Sequence, residues 1–218
     1  MRELDHLVVS ALTVVALIST LAGIAVGYLF SQLLLKYGGS GYVIDALGLA
    51  TARDLAPLAA ALLLAGRSGS AIATELGTMR ITQELDALQT MSIDVWSRVV
   101  LPKTIALTLG LPALTLWSAI FTMLGGVWIC SLELPLTFTQ MIGSLPGKLP
   151  LTNLFLGLGK AIVFGIGIGV LASYFGYTCQ PNTQSMARKT TNSVVVCIAF
   201  VLLGNAYLDI ISRTVGLK

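Results

Sequence analysis

Five apolar stretches, each able to cross a bilayer, and a charge content too low to coat a soluble domain predict an all-α integral membrane protein. The chain is 56% hydrophobic and 11% charged, with a mean hydropathy of +0.88, whereas soluble domains carry about 25% charged residues. A third observation is local. Between the second and third stretches the sequence turns polar while keeping apolar residues at helical spacing, which predicts an amphipathic helix outside the membrane. The whole chain, residues 1–218, reads as a single domain.

A membrane helix needs about 20 mainly apolar residues, because a rise of about 1.5 Å per residue must cover about 30 Å. Residues 7–35 contain no charge and are long enough to span with tilt. That run is too long for the apolar region of a signal peptide and lacks a clear small-x-small cleavage site, so it reads as a retained span. The second span, about residues 55–74, is interrupted by Arg67; the third, 104–132, is free of charge and carries Pro112, which should kink it. The fourth covers about 153–177 with Lys160 inside it, and the fifth 190–208, ended by Asp209. Gly23/Gly27 and Gly165/Gly169 stand at the spacing that lets helix backbones approach closely. Two uses are open to them: packing within the bundle, or a seam between two copies.

Orientation follows from the loop cations. If the 67–103 connection is cytoplasmic, internal loops hold Arg67, Arg80, Arg98, Lys103, Arg188 and Lys189, against Lys36, Arg53 and Lys148 outside. This places the N-terminus in the cytoplasm and, after five spans, the C-terminus on the outer side of the membrane. Charges within the spans are costly, about 2.5–3.5 kcal/mol each at mid-bilayer on insertion scales. Lys160 is therefore expected to snorkel or to form an interior ion pair rather than to contact a lipid phosphate, and Arg67 to bond neighbouring helix ends rather than a substrate. Arg53 and Asp54 should fix the start of the second span, and Asp209 should cap the outer end of the fifth. All four of Arg53, Arg67, Lys160 and Asp209 read as structural charges.

Several function classes are disfavoured. The net charge of +3 is dispersed, with no basic stripe for nucleic acid. Cys130, Cys179 and Cys197 show no metal or disulfide spacing, and His6 is the only histidine, so no metal site is expected. The spans hold no paired carboxylates, HExxH or Ser/His pair for an intramembrane enzyme. There is no GxxxxGK[ST] phosphate loop; the "GLGK" at 157–160 lacks its spacing and hydroxyl residue.

The polar segment is predicted as one helix over about 75–91. Leu76, Met79, Ile81, Leu85, Leu88 and Met91 recur largely at helical spacing, with Glu75, Gln83, Glu84 and Asp86 mostly elsewhere. A polar face that is chiefly acidic suits a protein partner better than anionic lipid; an ordinary connector is the plainer reading.

The block "RDLAPLAAALLLAGRSGSAIATELGTMRITQELDALQTMSIDVWSRVVLPK", with Arg53, Pro57, Gly66-Arg67, Gly69-Ser70, Glu75, Gly77, Met79, Thr82, Ala87-Leu88, Asp94 and Pro102, resembles the MlaE/YrbE permeases, membrane subunits of lipid-transporting ABC systems. A second block, with Gly176-Tyr177, Pro181, Arg188, Thr190-Thr191 and Val194-Val195, is similar to that family's C-terminal signature. The chain departs from the family pattern in the inverted pair Gln83-Glu84, in "NTQSMARK" where many members are glycine-rich, and in the short "MRELDH" ahead of the first span.

The resemblance implies a permease subunit, not an enzyme, in the inner membrane. It would work as a homodimer with a cytosolic ABC ATPase and a periplasmic MCE-domain protein, moving phospholipid between the membrane and that carrier. No cofactor belongs to this chain; ATP and magnesium would sit on the ATPase. The segment after the second span becomes a coupling helix, with Glu75, Met79, Gln83, Glu84, Asp86 and Leu88 as the ATPase-contacting residues. Similarity to the family's cavity makes Tyr28, Leu29, Phe30, Gln32 and Leu33 candidate lipid-path residues. Alternatives are another hydrophobic cargo (sterol, fatty acid or solvent) or a membrane scaffold without transport.

Overall fold

A computed structural model describes residues 11–36, 42–133 and 151–214. These residues are helical, with no strand among them: α1 Leu12–Lys36, α2 Val43–Ala50, α3 Ala56–Ile81, α4 Glu84–Thr90, α5 Leu101–Glu133, α6 Leu151–Tyr177 and α7 Thr183–Thr214. Five stretches are long and apolar enough to span a membrane: Leu12–Lys36, Val43–Ile81, Trp96–Glu133, Asn153–Tyr177 and Thr183–Ser212. The all-α membrane architecture is as the sequence implies. Residues 7–10 of the first predicted span, His6, Lys148 and the connection over 134–150 fall outside the described residues.

Several boundaries differ from the sequence expectation, and each difference has a physical cause. The second span starts at Val43 rather than near 55, because a π-helical turn over Thr51–Leu55 joins α2 to α3 without a break. Such a turn admits an extra residue without ending the helix, so Arg53 and Asp54 do not open the span; they lie within it. A second π turn, Trp96–Val100, extends the third span in the same way, and α5 runs on through Pro112. Asp209 does not cap the fifth span, since α7 continues to Thr214. Its carboxylate instead accepts from Asn205 Nδ2 one turn back, at 3.4 Å.

The chain divides into two compact units. One comprises Leu12–Ala60 and Ala113–Lys160. Here α1 buries a stripe of small residues, Val15, Ser19, Gly23, Gly27 and Ser31, every fourth position. A side chain at Gly23 would overlap the Thr122 carbonyl, one at Gly125 the Thr20 carbonyl, and one at Gly27 would stand 2.9 Å from Gly126 Cα. Backbone therefore meets backbone, and the polar hydroxyls in the seam pair with each other: Ser19 and Ser118 Oγ lie 2.8 Å apart, and Ser31 Oγ donates to Cys130 Sγ at 3.2 Å.

The other unit comprises, among the described residues, Ala11, 61–112 and 161–214. Its pivot is α6. Gly165 and Gly169 face α5, where a Cβ would stand 2.8 Å from Thr108 Cα and 2.9 Å from Thr104 Cα, while one at Gly167 would overlap the Phe200 ring of α7. Both GxxxG pairs are thus spent on packing inside the chain, which settles the choice left open by the sequence.

Candidate functional site

The polar segment is not the single helix expected over 75–91: its first part is the end of α3 and its second the short α4. Helix α3 carries Glu75 and Met79 and stops at Ile81; Gln83 adopts a left-handed conformation (φ 61°), and α4 begins at Glu84. The register breaks at Gln83, whose N–H donates to Arg80 O at 3.3 Å, while the Thr82 hydroxyl stands 2.9 Å from Glu84 Oε1 and 3.1 Å from Thr78 O across the turn. The turn swings Leu85 into complete burial. In sequence Ile81 and Leu85 look like one continuous helical face; the reversal between them lets Leu85 anchor the segment instead.

The far end of α4 closes with a Schellman motif. Ile93 N donates to Leu88 O and Ser92 N to Gln89 O, both at 3.0 Å, around a left-handed Ser92 (φ 57°). Asp94 then caps the next helical stretch. Its carboxylate accepts from Trp96 N and Ser97 N, each at 3.2 Å, and from Ser97 Oγ. The Ser97 hydroxyl first, then the two backbone N–H groups, hold the Asp94 carboxyl below the ordinary carboxylate range.

Ion pairs and rings clamp this connection to the spans. Lys103, 3% exposed at the start of α5, lies 2.6 Å from the Glu75 carboxylate on α3. Arg80 pairs with Asp86 at 2.6 Å. Gln89 Nε2 donates to Tyr177 Oη at 3.1 Å, and the Trp96 and Tyr177 rings lie 6.3 Å apart. Of the three acids expected to face a partner, two are neutralised within the chain. Gln83 and Glu84 remain exposed at the tip, whereas Met79 and Leu88 are half-buried.

Among the spans, Lys160 is buried and forms an interior ion pair, one of the two outcomes expected: its Nζ donates to Asp54 Oδ1 at 2.6 Å and to Arg53 O at 3.2 Å. The π turn around Arg53 thus supplies both a carboxylate and a carbonyl to one ammonium. Arg67 lies midway along α3 with an exposed side chain. Of the five α1 candidates for a lipid path, Tyr28, Leu29, Gln32 and Leu33 are exposed on one side of the helix, where Gln32 Nε2 donates to Glu133 Oε2 at 3.1 Å. Phe30 departs from them and packs against the buried Val43, Ile44, Val127 and Cys130 cluster.

A larger apolar groove, of about 630 Å³, lies elsewhere: Leu101, Ile105, Leu109, Ile166 and Val170 line it, and Asp94, Trp96 and Ser97 stand at one end. No periodicity signalled it, because it depends on how closely Gly165 and Gly169 seat α6 against α5. The Asp94 cap was legible as an Asp just before an apolar helical run. The Glu75–Lys103 pair joins residues distant in sequence and left no local trace. Among the described residues no group of three or more His, Cys, Asp or Glu could hold a metal ion.

The sequence matches, over residues 1–211, the family described as Permease MlaE. It is 35% identical over 173 residues to a probable ABC transporter permease protein of Synechocystis, covering 79% of this chain and 66% of the relative. A probable ABC transporter permease protein of Rickettsia typhi is 30% identical, over 94% of this chain and 79% of its own length. The intermembrane phospholipid transport system permease protein MlaE of Haemophilus influenzae is 28% identical, over 92% and 77%. The chain thus spans just under two thirds of the Synechocystis relative and more of the other two.

Proposed function

This chain belongs to the MlaE permease family, and from that premise we propose that it is the permease subunit of an ABC transporter moving phospholipid between the inner membrane and a periplasmic MCE-type carrier. A separate cytosolic ATPase supplies hydrolysis, and two copies of this chain form the membrane unit. The observation that carries the reading is the clamped connection between α3 and α5. A lever needs a rigid base and a free tip. Glu75–Lys103, the Schellman motif at Ser92 and the Asp94 cap supply the base, and Gln83 and Glu84 supply the tip.

The name of the Haemophilus relative supports phospholipid as cargo, and an apolar groove of about 630 Å³ is consistent with handling an acyl chain. The first and fifth spans are the least buried within the chain, at 22% and 11% of their apolar windows against 39–44% for the rest, which favours them as the faces that meet a second copy. The loop cations favour a cytoplasmic N-terminus.

The test is purification in mild detergent followed by reconstitution. An ATPase and an MCE-domain protein are expected to copurify. Glu84→Lys should weaken ATPase binding and ATP-driven lipid transfer by on the order of tenfold while leaving the thermal stability of the isolated chain unchanged. Normal lipid transfer by Glu84→Lys, or a chain that captures no ATPase, would overturn the reading.

A further inference from the structure

We propose that the turn between α6 and α7 is a binding site for the phosphate group of a membrane phospholipid, distinct from the coupling tip and from the apolar groove. A cavity of about 290 Å³ lies there, walled by Gln180, Gln184, Arg188, Lys189 and Asn192 together with Asn182 and Ser185. Its chemistry is one-sided. Residues 134–208 contain no Asp or Glu at all, and among the described residues no carboxylate pairs with Arg188 or Lys189. Lys189 is instead steered by the Phe175 ring, with Nζ 5.8 Å from its centroid.

Two accepting atoms of the wall are already engaged. Asn182 Oδ1 takes the Gln184 N–H at 3.1 Å, and Ser185 Oγ takes the Gln180 N–H at 3.3 Å. Toward the cavity stand two cations and the side-chain amides of Gln180, Gln184 and Asn192, which can turn their N–H donors inward. That set suits an oxyanion, and the fork of an arginine beside a lysine suits phosphate in particular.

Depth decides that the phosphate belongs to a lipid. Trp96, Tyr174 and Tyr177 form an aromatic group at this end of the spans, with Trp96 and Tyr174 exposed. Such rings sit at the headgroup level of a bilayer. The cavity begins three residues beyond Tyr177, at Gln180. From Asn192 onward the exposed face of α7 is apolar through Val195, Leu202, Leu203, Tyr207, Ile210 and Ile211. The rise from Asn192 to Ile211 is about 28 Å, close to a whole hydrocarbon core of about 30 Å. The cavity therefore stands at one edge of that core, where a bound phosphate leaves its acyl chains to run alongside α7. This site requires only that the chain spans a bilayer; it stands whether or not an ATPase is ever found, so its test is independent of the transport reading.

The experiment is native mass spectrometry of the purified chain from nanodiscs holding phosphatidylglycerol and diacylglycerol in equal amounts. The wild type should retain phosphatidylglycerol and not diacylglycerol, which has the same tails without phosphate. At about fivefold per cation, Arg188→Gln/Lys189→Gln should retain roughly 25-fold less, while the swap Arg188→Lys/Lys189→Arg should retain most of it and the two should melt alike. Equal retention by the Gln variant would overturn the proposal. So would binding of inorganic phosphate at millimolar concentration, lost in the Gln variant, without any lipid retained, since the cavity would then be a free-phosphate site. Unchanged lipid retention with loss of a copurifying acidic protein would overturn it in favour of a protein contact.

Discussion

At the scale of single residues, the pairings around Lys103 and Lys160 decide how cations live in so apolar a chain. Each ammonium is buried and each meets a carboxylate at 2.6 Å, Glu75 for Lys103 and Asp54 for Lys160, with the acid partly exposed in both cases. Removing the acid strands the buried cation; removing both partners does not. Glu75→Gln is therefore expected to destabilise the protein by roughly 1–3 kcal/mol, a range discounted from the fully buried case because Glu75 is half exposed. Lys103→Met/Glu75→Gln should recover most of that loss, as read by thermal unfolding in detergent; a double variant no better than the single would refute the pairing. The sequence showed that Lys160 had either to snorkel or to find a partner, because a charge held inside an apolar run is costly. It did not show which partner, since Asp54 is brought in only by the π turn that carries the second span past Arg53.

At the scale of elements, apolar length was legible and termination was not. A run of uncharged residues has few ways to exist other than as a spanning helix, so the five spans could be read directly. Their ends depend on single residues with competing conformations. The turn at Thr82 and Gln83 ends α3 in the middle of an apparently continuous amphipathic pattern, and Asp209 lies in a helix that continues past it. The GxxxG pairs were legible as close contacts, but spacing alone cannot say whether the facing backbone belongs to the same chain. In the structure it does, and Gly23 sits against the Thr122 carbonyl. Gly23→Leu should consequently separate α1 from α5 and lower stability by about 1–3 kcal/mol or more, as overpacking does. Gly66→Ala, at a glycine with open space around it, should leave the unfolding temperature unchanged or slightly raised. Equal behaviour of the two variants would contradict the packing described.

At the scale of the whole molecule, the connection at 82–95 and the turn at 178–182 lie at the same end of one compact unit, tied by the Gln89–Tyr177 hydrogen bond and the Trp96–Tyr177 ring contact. A cysteine placed at Gln83 should be labelled by an impermeant maleimide only after the inner membrane is opened, and one placed at Gln184 should follow it. Labelling of either in cells with an intact inner membrane would reverse the orientation proposed and remove the ATPase from reach. The composition made the membrane placement legible, and the loop cations gave a direction, but the division into two packed units depends on long-range contacts with no sequence signature. The seam between α1 and α5 carries one more consequence. With no side chain between the two backbones, α1 cannot creep along α5 by a single residue, because Ala22 or Ile24 would then push its Cβ into the Thr122 carbonyl. The next register that offers a glycine is Gly27, about 6 Å away at 1.5 Å per residue. Those two helices are toothed, and sliding between them would come in steps of one turn or not at all.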